Sequence, residues 1–268
     1  MRSLVILLLV LVMAPAFAAG KLDRLVLPPG FHVALFSDQL PNARAMALGA
    51  RGTVFVGSTG SGKVYALTDS NGDGVADKVR VIVSGLDLPM GVAFHDGDLN
   101  VSAVSPILVF RDIEQHLDDP PKPVVVTDKL PGELHHGGKF IRFGPNGKLY
   151  VAIGAPCNIC DPGPDHGKII RMNADGSDWQ DVARGVRNSV GFDWQPGSGH
   201  LWFTDNGRDL PGDDVPSDEL NEINHPGEHS GYPYCHQGDV LDPEFGKGKS
   251  CSNYPPPVVK LGAHVASL

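Results

Sequence analysis

Two adjacent histidines followed by two glycines form the part of this sequence best suited to proton transfer. His135 and His136 lie in the segment Glu133-Leu-His-His-Gly-Gly-Lys-Phe-Ile-Arg-Phe143. Histidine is the side chain whose ordinary pKa allows it to accept a proton near neutral pH. The two glycines let another molecule approach the backbone closely. Taken alone, the segment also fits a solvated histidine pair in a loop before a β-hairpin. The choice between a catalytic and a solvated histidine pair therefore depends on the rest of the chain.

A run of oxygen-bearing side chains forms a candidate calcium loop. Asp69, Asn71 and Asp73 occupy every second position, a glycine follows, and Asp77 adds a further carboxylate. Ca²⁺ prefers six to eight oxygen ligands, which such a loop supplies when it wraps tightly. The final glutamate of an EF-hand is absent, because Arg80 occupies that position. The sequence therefore predicts a structural Ca²⁺ site of another loop type, with a solvated acidic turn as the alternative.

Short apolar strands recur along the chain and must position these loops. The equivalent residues Val54, Leu99, Leu149 and Leu201 are 45, 50 and 52 residues apart. Each repeat holds β-branched or aromatic runs separated by Gly, Asn or Asp turns, which is typical of strands. A period of about 40–50 residues with about four strands per repeat is the signature of a β-propeller. An ordinary β-sandwich with similar spacing is the alternative.

The end of the sequence raises the question of how many repeats it holds. A loop-rich stretch, 225–257, follows the fourth repeat, and Val258–Leu268 resembles the opening strand of a fifth. We therefore expect a propeller cut short after about four blades, although a closed four-bladed ring is an alternative. The one helix candidate is Asp112–Leu117.

Two further loops gain importance from the propeller prediction. Arg187 offers a planar fork suited to a carboxylate, and Asn188 offers a donor and an acceptor. Thr204-Asp-Asn-Gly-Arg-Asp209 follows an apolar strand and is rich in turn residues. Each loop alone fits an ordinary arginine loop or a β-turn. In a propeller, however, their equivalent positions converge on one end of the central channel, where ligands bind.

The N-terminus and the overall charge indicate where the protein works. Residues 1–18 have the basic start, apolar run and small-residue cleavage site of a secretory signal peptide. We expect the remaining residues, 19–268, to form one propeller domain that is periplasmic or secreted, with a retained anchor as the alternative. The apolar run is too short to span a membrane comfortably, and no later segment is comparable. A net charge of −9 argues against nucleic acid as a partner.

The four cysteines fit an oxidising compartment. In an exported chain an even number of cysteines favours disulfides, and Cys235–Cys251 would close a poorly anchored loop. Cys157-Asn-Ile-Cys160 could pair with itself, act in redox chemistry or bind a metal ion. Structural disulfides are favoured, because no second CxxC motif exists to complete a zinc site.

The sequence resembles the exported sugar dehydrogenases that depend on pyrroloquinoline quinone (PQQ), a group that includes soluble glucose and aldose dehydrogenases and sorbosone-dehydrogenase-like proteins. The resemblance extends over residues 25 to 265. Its motifs, in order, are His135–Phe140, Phe143–Tyr150, Arg187-Asn188 before Gly191-Phe192, Asp205–Arg208, and Asp218–Asn224 before Gly231–Pro233. The sorbosone-like branch is the nearer match, on Gly154–Asp161 and Phe203–Asp209.

The resemblance implies a six-bladed propeller with PQQ on its axis and a sugar as substrate. It assigns the catalytic base to His135, which would take a proton from the anomeric hydroxyl while hydride passes to the quinone; His136 is not excluded. It assigns cofactor contacts to Arg187 and Asn188. The backbone carbonyls of Gly207 and Arg208 would bind the Ca²⁺ that polarises the quinone. An electron acceptor, not identified by the sequence, would reoxidise the cofactor.

Two departures keep other functions open. The remaining cofactor contacts of the family lie in two later blades that this sequence lacks, and Leu86–Gly91 shows no counterpart of a glutamine found in some members. One alternative is a non-catalytic propeller that binds carbohydrate or another partner. Another is a Ca²⁺-dependent hydrolase of the lactonase type, although no set of axial carboxylates is clear in the four repeats.

Overall fold

The chain folds into short antiparallel β-strands joined by turns. A computed structural model describes residues 22–209 and 211–265. The predicted signal peptide, 1–18, therefore lies outside the described residues. No helix in the two described ranges is long and apolar enough to cross a membrane.

The first two repeats form four-stranded sheets, which we call blade 1 and blade 2. Blade 1 consists, in spatial order, of β1 (Ala43–Leu48), β2 (Val54–Ser58), β3 (Val64–Thr68) and β4 (Lys78–Val83). Blade 2 consists of β5 (Gly91–His95), β6 (Asp98–Ser102), β7 (Ile107–Phe110) and β8 (Val124–Thr127). Every neighbouring pair in both blades is antiparallel.

The third and fourth repeats form blades 3 and 4. Blade 3 contains β9 (Ile141–Phe143), β10 (Leu149–Ile153), β11 (Lys168–Met172) and β12 (Gln180–Arg184). Blade 4 begins with β13 (Phe192–Trp194), β14 (Leu201–Asp205) and β15 (Ser217–Ile223). The chain then forms β16 (Glu228–His229), which adds to the edge of blade 3 beside β12, and the small hairpin of β17 (Cys235–His236) and β18 (Val240–Leu241).

The predicted repeat is confirmed, because the protein is all-β with four blades in a propeller arrangement. Val54, Leu99, Leu149 and Leu201 each lie in the second strand of their blade. Their side chains are buried or half-buried, as expected where each blade packs against its neighbours. The sequence period thus predicted the second strand of each blade correctly.

Two local predictions were wrong. The final strand, β19 (Val259–Ala263), pairs with β15 and completes blade 4, so it does not open a fifth repeat. An insertion holding β16 to β18 separates the two partners, and strand composition alone does not indicate which neighbour a strand pairs with. The predicted helix Asp112–Leu117 is only a 3₁₀ turn at Ile113–Gln115, since Asp112 adopts a left-handed conformation with φ of 46°.

Apolar side chains form a separate core between each pair of successive blades. Blades 1 and 2 enclose a cluster that includes Phe55, Leu99 and Phe110. A second cluster, including Ile141 and Leu149, joins blades 2 and 3. The third, around Phe192 and Phe203, joins blades 3 and 4. This face-to-face packing fixes the loops at the strand ends relative to one another.

Both predicted disulfides form in the structure. Cys157 and Cys160 pair within one short turn after β10. Cys235 and Cys251 pair across the insertion and fasten β17 to a second 3₁₀ turn, Cys251–Asn253. No free cysteine occurs in residues 22–209 and 211–265. The alternative interpretation of the CxxC as a metal site is therefore not supported.

Candidate functional site

The loop that carries the histidine pair is folded tightly onto blade 2. Gly137 donates to the carbonyl oxygen of Leu134 at 3.0 Å, which closes a turn around the histidines. A Cβ atom at Gly137 would come within 2.5 Å of the Glu133 carbonyl oxygen, so the turn requires glycine there. His136 has a positive φ of 50° at the same turn. The glycines thus shape the loop, in addition to any access they give a ligand.

Lys139 holds the histidine loop in place through a buried side chain. Its side chain is buried, and Nζ donates to the carbonyl oxygens of Pro131 and Gly137, both at 3.0 Å, and to that of Val104. Burial lowers the pKa of Lys139 to about 8. Three carbonyl acceptors satisfy the buried ammonium, and two of them belong to the histidine loop. Lys139 therefore holds that loop against blade 2.

His136 faces the interior, whereas His135 is exposed. Nδ1 of His136 lies 2.8 Å from the carbonyl oxygen of Ala155. Burial, followed by the nearby Arg187 charge, lowers the pKa of His136 to about 4. His136 is therefore neutral at pH 7, and because a carbonyl only accepts, its proton sits on Nδ1 and leaves Nε2 as an acceptor. The two imidazole rings lie 4.1 Å apart between centroids.

Arg187 is almost completely buried and is held by the protein itself. Its Nε donates to the backbone oxygen of Asn158 at 2.8 Å, and Nη2 donates to Asn158 Oδ1 at 2.8 Å. Nη2 also contacts Asp209 Oδ2 at 3.1 Å, and Nη1 donates to the Asn206 carbonyl oxygen at 3.0 Å. These contacts use four of the five guanidinium N–H groups, so one N–H group of Arg187 remains for a ligand.

The carboxylate of Asp205 fixes the backbone of the Arg187-Asn188 loop. It accepts the backbone N–H of Arg187 at 2.8 Å and that of Asn188 at 2.6 Å. Asp205 and Glu219 are both buried, and burial raises the pKa of each carboxyl; the charge of Asp218 adds to the effect at Asp205, and that of Asp205 adds to the effect at Glu219. We did not predict Asp205 as a site residue, although a carboxylate at the end of the apolar strand Leu201–Phe203 was a usable signal.

Gly207 and Arg208 differ in how they face the site. Gly207 lines the cavity, and its N–H donates to Asp218 Oδ1 at 2.8 Å. The side chain of Arg208 instead pairs with the carboxylates of Asp242 at 2.6 Å and Glu244 at 3.0 Å, both in the insertion. Through these two ion pairs the insertion holds the Arg208 side chain, and this restrains the Arg208 backbone.

Three of the predicted site residues, Arg187, Asn188 and Gly207, lie on one polar cavity of about 270 Å³. His136, Arg187, Asn188 and Gly207 line it, together with Asn206, Asp209, Asp218 and His264. His135 and Arg208 are not among the lining residues but adjoin them in sequence. A larger cavity of about 580 Å³ between the inner strands contains none of the predicted site residues and is lined mainly by apolar groups. The smaller cavity is therefore the better candidate site.

The cavity offers groups suited to a polar quinone and to a hard cation. The side-chain amide of Asn188 makes no hydrogen bond to another described residue, so its donors and acceptor are available. Nε2 of His136 adds an acceptor, and one Arg187 N–H adds a donor. Asp209 and Asp218 supply carboxylate oxygens, which Ca²⁺ prefers. The donor set therefore fits a quinone with carboxylate groups beside a calcium ion.

The predicted calcium loop lies apart from this cavity, in the connection between β3 and β4. Asp69 accepts the N–H groups of Gly72 at 2.8 Å and Gly74 at 2.9 Å. Asp77 accepts the backbone and hydroxyl groups of Ser70, both at 2.6 Å, and these bonds lower the pKa of Asp77. In the described ranges no group of three or more His, Cys, Asp or Glu side chains is arranged to hold a metal ion.

Comparison with known protein families and sequences gives two matches. Residues 18–231 match a family described as a domain of unknown function, DUF7133. An uncharacterized protein of Borreliella burgdorferi is 31% identical over 258 residues, which cover 92% of this chain and 66% of that protein. This chain therefore spans just under two thirds of the length of its curated relative.

Solved structures with the same fold include a carbohydrate-active enzyme and sugar dehydrogenases. The iodide structure of a family AA12 carbohydrate-active enzyme from Trichoderma reesei superposes with a TM-score of 0.77 at 20% identity, covering 89% of this chain and 72% of that one. The PQQ-bound aldose sugar dehydrogenase of Streptomyces coelicolor gives a TM-score of 0.64 at 20% identity, covering 86% and 71%. At these identities the likeness establishes a shared fold.

Proposed function

This chain belongs to the DUF7133 family, and we propose that it is an exported quinoprotein oxidoreductase that oxidises an aldose or sorbosone-like sugar at its anomeric or aldehyde carbon. The fold supports this proposal, since the PQQ-bound aldose sugar dehydrogenase of Streptomyces coelicolor shares it. The PQQ domain of a pyranose dehydrogenase from Coprinopsis cinerea also matches, with a TM-score of 0.64 at 17% identity over 78% of this chain and 57% of that one. The two disulfides support export to an oxidising compartment.

The observation that carries the proposal is the convergence of three separate loops on one polar cavity. The loops come from the starts of blades 3 and 4 and from the end of β14, and they contribute His136, Asn188 and Gly207. All three belong to segments that resemble the sugar dehydrogenase motifs. A side-chain amide and an acceptor nitrogen of an imidazole that face the same space are groups that a polar ligand would use.

In this proposal His135 is the general base and His136 is its fixed neighbour. The pKa of His136, about 4, makes it a poor proton acceptor at neutral pH. His135 is exposed, so it can accept a proton from a sugar hydroxyl and pass it on to water. The 4.1 Å separation of the two rings keeps His135 at the edge of the cavity that His136 lines.

Arg187 and Asn188 would hold the cofactor. Asn188 would donate and accept through its open side-chain amide, and Arg187 would supply positive charge from a fixed position. When bound, PQQ would supply the hydride acceptor that the amino-acid side chains lack. The chain's own contribution is to orient the quinone and the sugar and to receive the hydroxyl proton.

Calcium has two proposed roles. At the cavity, the backbone carbonyls of Gly207 and Arg208 would ligate a Ca²⁺ ion that polarises the bound quinone. The carboxylate of Asp218 accepts the backbone N–H of Gly207 and holds the peptide that precedes this residue. In blade 1, the loop with Asp69, Asn71, Asp73 and Asp77 would bind a second, structural ion.

The proposal is tested by reconstitution of purified protein with PQQ and Ca²⁺, followed by dye-linked oxidation of a panel of aldoses and hydroxy-aldehydes. We expect sugar-dependent dye reduction that requires both additions. A matched sample with the chelator EDTA in place of Ca²⁺ should be inactive. If a protein that binds PQQ oxidises none of the sugars, the assignment of the substrate class is wrong.

A further inference from the structure

We propose that the disulfide-closed turn Cys157–Cys160 is a clamp that orients Arg187 through Asn158, and that reduction of this disulfide weakens PQQ binding at the cavity. Asn158 would be a positioning residue, because it acts on the ligand only through Arg187. The part of this inference that concerns PQQ rests on the proposed function. The part that concerns Arg187 stands on contacts within the chain.

Asn158 grips the guanidinium of Arg187 with two different groups. Its backbone oxygen accepts from Nε and its side-chain oxygen accepts from Nη2, both at 2.8 Å. These two bonds lie along one edge of the planar guanidinium, so they fix its rotation as well as its position. The other guanidinium contacts, to Asn206 and Asp209, come from the loop after β14.

Asn158 also fastens that neighbouring loop. Its Nδ2 donates to the carbonyl oxygen of Asp209 at 3.0 Å, and its Oδ1 accepts the backbone N–H of Asp209 at 2.8 Å. The same Oδ1 atom therefore serves both Arg187 and Asp209. One asparagine joins two walls of the cavity, and loss of its side chain would remove the bond to Arg187 Nη2 and both bonds to Asp209, leaving only the backbone bond to Arg187 Nε.

The disulfide determines where Asn158 can point. Asn158 is the first residue inside the ring that the Cys157–Cys160 bond closes. Tyr232 supports the ring from outside, since its hydroxyl oxygen accepts the backbone N–H of Cys160 at 3.1 Å and lies 3.6 Å from Cys157 Sγ. Cross-linking removes backbone freedom from so short a turn, and this freedom returns when the bond is broken.

Both cysteines are partly exposed, so a small reductant can reach the bond. A dithiol such as dithiothreitol would break the S–S bond and be oxidised to its own cyclic disulfide. Two electrons and two protons pass to the protein, where two thiols form. Because the turn then lacks its covalent closure, we expect Asn158 to leave Arg187 for part of the time, with the guanidinium less well fixed for the ligand.

The clamp can be tested without any cofactor through the Nε–Hε signal of Arg187 in arginine-labelled protein. The signal is assigned by its disappearance in Arg187→Lys. In the wild type we expect slow exchange of this proton with water, because Nε donates to a partly buried acceptor. In Cys157→Ser/Cys160→Ser we expect at least tenfold faster exchange. Asn158→Ala keeps the backbone acceptor of Nε but loses the side-chain bonds to Arg187 Nη2 and to Asp209, so there we expect a smaller increase, of about threefold. Asn173→Ala, in a turn away from the cavity, is the matched control and should leave the exchange unchanged.

The second readout is the dissociation constant of PQQ in Ca²⁺. We expect an increase of at least tenfold in Asn158→Ala and in Cys157→Ser/Cys160→Ser. We expect less than a twofold change in Asn173→Ala. Treatment with dithiothreitol, removed under anaerobic conditions before PQQ is added because thiols reduce quinones, should weaken binding by Cys235→Ser/Cys251→Ser protein, in which only the proposed clamp disulfide remains. It should not affect Cys157→Ser/Cys160→Ser protein. This pair of variants separates the two disulfides.

Each result assigns a cause. Exchange of the Arg187 Nε proton that is unchanged in both Asn158→Ala and Cys157→Ser/Cys160→Ser would overturn the clamp. Fast exchange in Asn158→Ala with slow exchange in Cys157→Ser/Cys160→Ser would overturn the role of the disulfide. Fast exchange in both variants, in a protein whose wild type does not bind PQQ, would overturn the proposed function and support the positioning of Arg187 by Asn158.

Discussion

Nδ1 of His136 donates to the carbonyl oxygen of Ala155 across 2.8 Å. The N–H of the same alanine donates to the carbonyl oxygen of Arg187 at 2.7 Å. One peptide segment after β10 therefore joins the histidine loop to the arginine loop. Because both bonds end on the backbone of Ala155, the position of the His136 imidazole relative to the Arg187 backbone depends on this segment of blade 3.

Replacement of His135 by alanine tests the assignment of the base. We expect His135→Ala to lower kcat by about 10²–10⁴-fold, the usual effect of losing a general base. PQQ binding should change by less than a factor of two, because His135 does not line the cavity. The measurement is steady-state dye reduction beside a PQQ titration.

His136→Gln is the matched variant for this test. It removes the imidazole whose Nδ1 bonds Ala155, so we expect weaker PQQ binding together with some residual turnover. If His135→Ala kept full turnover and the His136→Gln variant were inactive, His136 would be the base.

The low pKa of His136 predicts a dependence of stability on pH. The folded pKa is about 4 and the reference value is 6.5. Between these values the unfolded chain binds a proton that the folded protein does not, so stability falls as pH decreases from 6.5 to 4. Allowing for the partial exposure of His136, we expect the free energy of unfolding to fall by about 2 kcal/mol over this pH range because of this group.

Urea unfolding of the wild type and His136→Gln at several pH values isolates this contribution. The difference in unfolding free energy between the two proteins should shrink by that amount as the pH falls. A difference that stays constant across the range would show that His136 is protonated normally in the folded protein.

Asp205→Asn tests the buried carboxylate that holds the Arg187-Asn188 loop. An amide can accept one of the two backbone N–H groups but presents its own donors to the other. We expect a loss of about 2 kcal/mol in unfolding free energy and weaker PQQ binding. Asp193→Asn, on the exposed part of β13 and paired with Arg142, is the control and should cost less than about 1 kcal/mol. Equal effects of the two substitutions would contradict a special role for Asp205.

The calcium loop of blade 1 is tested by Asp73→Ala. If the loop binds a structural ion, Ca²⁺ should raise the melting temperature of the wild type relative to EDTA, and the substitution should reduce that increase. Sugar oxidation at saturating Ca²⁺ and moderate temperature should be unchanged, because the loop does not line the cavity. Identical melting temperatures of the wild type with and without Ca²⁺ would remove the loop from the list of metal sites.

The sequence was sufficient for the blades because their signal is local. Each second strand carries apolar residues in a run short enough to recognise, and the period of the four runs identifies the repeat. The pairing of β19 with β15 was not predictable in this way, since the partners are separated by the whole insertion. The composition of a strand indicates how deeply it is buried, but it does not indicate which strand it pairs with.

The candidate site was predicted in part. Arg187 and Asn188 were found because their residue types indicate ligand contacts, and both line the cavity. The partners that hold Arg187 were missed. Asn158 lies 29 residues away in another blade, and its role depends on a side-chain direction that the fold alone sets. Asp205 belongs to the motif Thr204–Asp209, but from the sequence it resembles an ordinary turn residue, because its burial is known only from the structure.

The most direct test of the proposed function is a titration of the purified protein with PQQ in the presence of Ca²⁺, followed through the quinone absorbance. Asn188→Ala provides the matched variant, because the Asn188 side chain makes no hydrogen bond within the described part of the chain and its loss should leave the fold intact. We predict saturable binding of one PQQ per chain by the wild type, weakened at least tenfold in Asn188→Ala and in EDTA. Absence of saturable binding by the folded wild-type protein in Ca²⁺ would contradict the proposed quinoprotein function.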